Sequence, residues 1–117
     1  MIKDYDKPIY VILLFEDLKE LKSKRTGENL GFPDLSGCQE MGFYYTFEEA
    51  KEDMNNNALD IRESCFNYGF ILKHYPGVYN DSTFGGAHND RWFFEWDDEK
   101  NGFYETEEPD IFKHIGL

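Results

Sequence analysis

The sequence has few of the residues from which metal sites and disulfide frameworks are built. Its two cysteines, Cys38 and Cys65, stand in no close pair or repeated spacing, so no zinc or redox motif is indicated. The three histidines, His74, His88 and His114, form no H-x-x-x-H or H-x-H pair. We therefore expect neither a metal site nor a cofactor.

Basic residues are also scarce. Twelve lysines and arginines stand against 24 acidic residues, which gives a net charge of −12. Such a chain is not expected to bind nucleic acid or an anionic membrane through a general basic surface. An anionic ligand would need a local pocket.

Long apolar runs are missing as well. None reaches the roughly 18 residues of a membrane-spanning helix, and the first ten residues carry charges where a signal peptide has its apolar segment. We expect a soluble intracellular protein in which both thiols are reduced. Its 117 residues are most simply one domain, residues 1–117.

The clearest periodic signal lies in the middle of the chain. Apolar residues recur there at spacings of three and four, which is typical of a helix with one face on a sheet: Phe47, Ala50, Met54, Ala58, Ile61 and Cys65. Thr46 with Glu49 three residues later matches a capping box. The three asparagines at 55–57 are poor helix formers, so they predict either a kink or a division of the helix in two.

Five segments rich in aromatic and branched residues predict strands. They span residues 9–15, 38–45, 69–75, 91–96 and 103–107, and an Asn101-Gly102 turn joins the last two as a hairpin. The fold class predicted is α+β, with a mainly antiparallel sheet of about five strands and one long helix, straight or kinked, packed on a face.

The connection of residues 76–90 is long for a compact domain, and such connections are usually either disordered or functional. Phe84, His88 and Asn89 beside the Gly85-Gly86 pair favour a function. Aromatic rings can stack on a purine, while arginine and asparagine can contact phosphates and base edges. The predicted ligand-binding residues are Phe84, Asn89, Arg91 and Trp92, together with Arg62, Phe70 and Asn80. For Arg62, a surface pair with Asp60 or Glu63 is an equal alternative. A nucleophile elbow, a P-loop and a dinucleotide-binding glycine pattern are all absent, so we predict no catalytic residue and no enzymatic activity.

Residues 41–110 resemble a known family in the order of their motifs. The helix start TFEEA, the tyrosine-containing strand YGFILKHY and the hairpin RWFFEWDDEKNGFYE with its downstream Glu108-Pro109 are similar to those of the phage anti-Thoeris sponges. Members of that family sequester cyclic ADP-ribose isomers without cleaving them and assemble as oligomers with pockets near subunit contacts. The resemblance implies a non-enzymatic, homo-oligomeric immune-evasion protein acting in the cytoplasm of an infected or lysogenic bacterium.

The net charge of −12 supports an alternative function of a different class. A strongly acidic surface can mimic nucleic acid or block a basic host protein. In this alternative the partner is a macromolecule and no pocket is needed.

Overall fold

The computed structural model describes residues 7–75 and 90–112 and has an α+β fold, as predicted. Five antiparallel strands form the main sheet in the order β4-β1-β5-β6-β7, and a separate sheet pairs β2 with β3. The elements are β1 (Ile9–Phe15), β2 (Glu20–Lys22), β3 (Asn29–Pro33), β4 (Cys38–Tyr44), α1 (Phe47–Asn56), α2 (Ala58–Glu63), β5 (Tyr68–His74), β6 (Arg91–Asp97) and β7 (Gly102–Thr106). The β2–β3 hairpin lies between β1 and β4 in the chain.

The central position of β1 follows from its continuous apolar sequence. Ile12 and Leu14 are buried on one face of the sheet, while Val11 and Phe15 are buried on the other. Such a strand suits the interior of a sheet, and β1 is hydrogen-bonded to β4 on one side and to β5 on the other.

Two helices, α1 and α2, occupy the segment predicted to form one long helix, which is the division that the asparagines at 55–57 allowed. Thr46 caps α1, since its hydroxyl accepts a hydrogen bond from the Glu49 backbone N–H at 3.1 Å. The helix divides at Asn57, whose side chain donates to the backbone oxygen of Asp53 at 2.8 Å. Cys65 lies beyond the end of α2, exposed and with φ of 73°, so its assignment to the apolar stripe was wrong. Neither helix of the described residues has the length and apolar character needed to cross a membrane.

The helices cover one face of the sheet, called here the helix-bearing face. Four buried side chains of the helices pack there against strand residues such as Ile71 and Phe94: Ala50, Met54, Ala58 and Ile61. This is the stripe that the sequence predicted, without Cys65. The alternating residues Trp92, Phe94 and Trp96 of β6 also belong to this face.

A second core lies on the opposite face. Its buried members are all phenylalanines except one leucine: Phe15, Phe70, Leu72, Phe93 and Phe112. Phe112 comes from a 3₁₀ turn at Asp110–Phe112. Its ring lies 5.0 Å from that of Phe70 and 5.6 Å from that of Phe15. The end of the described chain is thereby packed beneath the sheet.

The edge strand β4 contains a bulge. Tyr44 and Phe43 pair with Tyr10 and Val11, but the register then shifts by one residue before Leu13. Gly42 lies at this irregularity with φ of 65°, a conformation that glycine adopts without strain.

Candidate functional site

Three aromatic rings meet on the helix-bearing face at one end of the sheet. Tyr10 comes from β1, Phe47 from the start of α1 and Trp92 from β6. The Trp92 ring centroid lies 4.7 Å from that of Phe47 and 6.3 Å from that of Tyr10. All three are partly buried against the core, so each keeps some ring surface accessible. We call these three residues the aromatic cluster.

A lysine stands beside the aromatic cluster. Lys73 is the register partner of Tyr10, so the two side chains share a face. A hydrogen bond with Tyr75 is the main cause that raises the pKa of Lys73, and its side chain remains 22% exposed. Its Nζ lies 3.8 Å from a carboxylate oxygen of Asp90 and 5.3 Å from the centre of the Tyr75 ring. The aromatic cluster therefore has one charged ammonium group as its neighbour.

The two residues on either side of 76–89, in the connection predicted to bind the ligand, both lie next to Lys73. Tyr75 and Asp90 flank residues 76–89, and both contact Lys73. The predicted site residues Asn80, Phe84 and Asn89 lie outside the described residues.

Arg91 and Phe70 lie on the opposite face from Trp92. The Arg91 Nε forms an ion pair with Glu108 Oε1 at 2.6 Å, and one terminal nitrogen donates to the Phe112 carbonyl at 2.6 Å. The guanidinium also lies 5.7 Å above the ring of Phe70, which is fully buried. These contacts fix the 3₁₀ turn, and the structure does not bring Arg91 and Trp92 to one surface.

Arg62 lies apart from the aromatic cluster. It is exposed on α2, beyond the ten residues of α1, a helix about 15 Å long. Within residues 7–75 and 90–112 it forms no ion pair with Asp60 or Glu63. Of the seven predicted residues, Trp92 alone is placed at the aromatic cluster by the described part of the chain.

A groove opens elsewhere on the helix-bearing face, between β4 and α2. It has a volume of about 290 Å³ and a mixed lining: Leu14, Gln39, Glu40, Met41, Asn57, Asp60, Ile61, Ser64 and Phe66. We call it the β4–α2 groove. It forms because the two short helices leave this part of the sheet uncovered.

A hydrogen-bonded group joins β4 to the helix break beside this groove. The Tyr44 hydroxyl donates to Asp53, and the Asn57 amide nitrogen donates to both the backbone and the side-chain oxygen of Asp53. Burial, followed by the hydrogen bond and the charge of Asp53, raises the pKa of Tyr44 from 10.0 to about 12. Tyr44 is therefore neutral at physiological pH and holds α1 onto β4.

The sequence did not point to Tyr10, Phe47 or Lys73 as site residues. Each looks like an ordinary member of its strand or helix, and they meet only when three distant segments pack together. Within the described residues no group of three or more histidine, cysteine, aspartate or glutamate side chains is arranged to hold a metal ion. No family model, curated protein or solved structure matches this chain.

Proposed function

We propose that the protein binds and sequesters a cyclic nucleotide-derived signal, a cyclic ADP-ribose isomer, without cleaving it. The observation that carries this proposal is the aromatic cluster beside Lys73, which contacts Tyr75 and Asp90, the residues on either side of 76–89. Partly buried rings offer a stacking surface for adenine, and an ammonium group offers a contact for phosphate. Stacking and charge contacts hold a ligand without breaking its bonds.

The first experiment distinguishes binding of the intact ligand from its chemical conversion. The pure protein is incubated with a cyclic ADP-ribose isomer, passed through a desalting column and heated, and the released material is analysed by mass spectrometry. Intact ligand is the expected result. Altered ligand would instead indicate an enzyme, and a column fraction without ligand would refute sequestration of this compound.

The second experiment tests the site, and the chain offers a matched pair of variants. It has two tryptophans, Trp92 in the aromatic cluster and Trp96, whose ring packs on Phe103 at 5.5 Å. Trp96→Phe leaves Trp92 as the sole indole, and its fluorescence should change when the ligand is added. Trp92→Phe leaves Trp96, whose fluorescence should not respond. The reverse pattern would place the ligand near the β6–β7 hairpin.

The affinity for the ligand should also depend on Trp92. Replacing Trp92 by alanine removes a stacking ring, which is worth about 1–3 kcal/mol per base, or roughly fivefold to 150-fold in affinity. Arg62→Ala is the matched control, because Arg62 lies on a different helix. Equal losses in both variants would argue against stacking on the aromatic cluster.

Assembly of several copies in the cytoplasm of an infected or lysogenic bacterium is part of the proposal. Phe43 is 60% exposed and Tyr45 is 71% exposed at one end of the edge strand β4, and their rings contact each other at 6.0 Å. Exposed aromatic pairs are common at subunit interfaces. Light scattering should detect at least a dimer, and a particle of 13.9 kDa at micromolar concentration would contradict this.

The acidic interaction protein is the second candidate function. It is favoured by a groove of about 380 Å³ at the β6–β7 hairpin that carries four carboxylates and two aromatic rings: Glu95, Trp96, Asp97, Asp98, Glu99 and Tyr104. Many exposed charges make association steeply dependent on salt, whereas an enclosed small ligand is screened less. A fall in nucleotide affinity of a hundredfold or more between low and high salt would contradict an enclosed nucleotide site.

A further inference from the structure

We propose that the edge strand β4 pairs with β4 of a second copy, antiparallel about a two-fold axis at Tyr44, so that the two main sheets join into one. The proposal rests on the assembly of several copies proposed above and names the contact that forms it. The aromatic cluster takes no part in this contact, so nucleotide sequestration can fail while the pairing stands, and the reverse also holds.

The outer edge of β4 is open to pairing. Within residues 7–75 and 90–112, β4 is hydrogen-bonded to β1 on one side and no strand pairs with its other side. The unpaired backbone N–H and C=O groups of such an edge can bind another strand. Tyr44 is the last residue of β4, beyond the bulge, and Thr46 is also extended with φ of −135° and ψ of 154°. An extended backbone therefore flanks Tyr45 on both sides.

Phe43 and Tyr45 make this segment complementary to itself. Phe43 is the register partner of Val11, so it lies on the face opposite the helices, and its ring contacts that of Tyr45 at 6.0 Å. In an antiparallel pair centred on Tyr44, Phe43 of each copy lies directly opposite Tyr45 of the other. Cross-strand aromatic pairs stabilise a sheet. A second copy therefore covers both exposed rings and pairs each one with an aromatic ring.

The distribution of charge favours this edge of the sheet over the other one. Residues 41–47, MGFYYTF, contain no charged side chain, so two copies can meet there without like charges in contact, although each copy has a net charge of −12. At the other edge, β7 carries Glu105, and Glu107, Glu108 and Pro109 follow it. Acidic side chains and proline deter strand pairing. We therefore expect the sheet to extend at β4 alone, which closes the assembly at two copies.

Light scattering of Phe43→Lys tests the surface. Without nucleotide, the parent should be a dimer at micromolar concentration, and the variant should raise the dissociation constant of the dimer by about tenfold or more, because two aromatic pairs are lost. Leu59→Lys is the matched control, since Leu59 is 63% exposed on α2 and the charge change is the same. Circular dichroism melts establish that both variants fold. A monomeric parent, an unchanged dimer in Phe43→Lys or an equal loss in the control would overturn the proposal.

Disulfide cross-linking tests the register. With the two free cysteines replaced by serine (Cys38→Ser, Cys65→Ser), Phe43→Cys and Tyr45→Cys are prepared as separate proteins and oxidised either alone or after mixing, without nucleotide. Directly opposite residues have Cβ atoms about 4.5–5.5 Å apart, whereas diagonal neighbours are about 7–8 Å apart. A disulfide needs about 3.5–4.5 Å, so the mixture should cross-link at least about fivefold faster than either protein alone. Faster cross-linking in either protein alone would overturn the axis at Tyr44, and equal rates in all three samples would overturn the ordered pairing of β4.

Discussion

Replacing Arg91 by methionine should destabilise the protein by about 2–4 kcal/mol. The substitution removes an ion pair with Glu108, a hydrogen bond to the Phe112 carbonyl and a cation–π contact with Phe70. Breaking a buried pair costs about 3–5 kcal/mol, because it leaves a charge without a partner. Here the Arg91 side chain is 14% exposed and that of Glu108 is 29% exposed, so water can reach the remaining carboxylate and the expected loss is smaller.

Urea unfolding followed by circular dichroism measures this loss. With a slope of about 1.5 kcal/mol/M, a loss of 3 kcal/mol lowers the midpoint by roughly 2 M. Glu108→Gln should cost about 1–2 kcal/mol, since one amide oxygen can still accept from the guanidinium. The double variant should lose less than the sum of the two single losses, because the second substitution removes a partner that is already alone. Arg62→Met, at an exposed position, should stay within about 0.5 kcal/mol of the parent.

Unfolding of Arg91→Met at the same midpoint as Arg62→Met would contradict this prediction. Losses in the two single variants that add fully in the double variant would contradict it as well. Either result would mean that the Arg91–Glu108 contact does not hold the 3₁₀ turn beneath the sheet.

Two further predictions concern the helix-bearing face. Gly69→Ala should lower the free energy of unfolding by about 1–3 kcal/mol, because the new methyl group would lie 3.2 Å from Met54 Cε and 3.3 Å from Leu14 Cδ2. An unchanged urea midpoint would mean that the Met54 and Leu14 side chains can move aside without loss of stability. Alkaline unfolding should involve Tyr44, whose raised pKa stabilises the folded state below pH 10 and loses that contribution as the pH rises towards about 12. Tyr44→Phe should therefore lose less stability between pH 10 and pH 12 than the parent does, and equal losses would contradict the Tyr44–Asp53 hydrogen bond.

The sheet could be predicted from the sequence because its signal is local. Alternation and apolar runs placed five strands, and the β5 prediction of 69–75 differs from the observed Tyr68–His74 by one residue. The ends of the helix were harder to predict, since the apolar spacing continues across Asn57 to Cys65, which lies beyond α2. The asparagines at 55–57, whose side chains compete for backbone hydrogen bonds, predicted a kink or a division, and the helix divides at Asn57.

The candidate site was less accessible to sequence reasoning. Arg91 and Trp92 are neighbours in sequence, and the alternation of a strand alone places them on opposite faces. The alternation can be read from the sequence, and it argues against a pocket that contains both Arg91 and Trp92. The aromatic cluster, by contrast, joins residues 10, 47 and 92, and no local pattern brings such distant positions together.

The bulge in β4 determines which side chains the helix-bearing face receives. In a regular strand, Met41 and Tyr44 are three residues apart and point to opposite faces, but the extra residue at Gly42 turns both towards the helices. One insertion thus supplies both the methionine of the groove floor and the tyrosine that is hydrogen-bonded to Asp53. A related chain lacking that one residue could keep either feature but not both, so the length of this strand is a simple marker for which proteins share the arrangement.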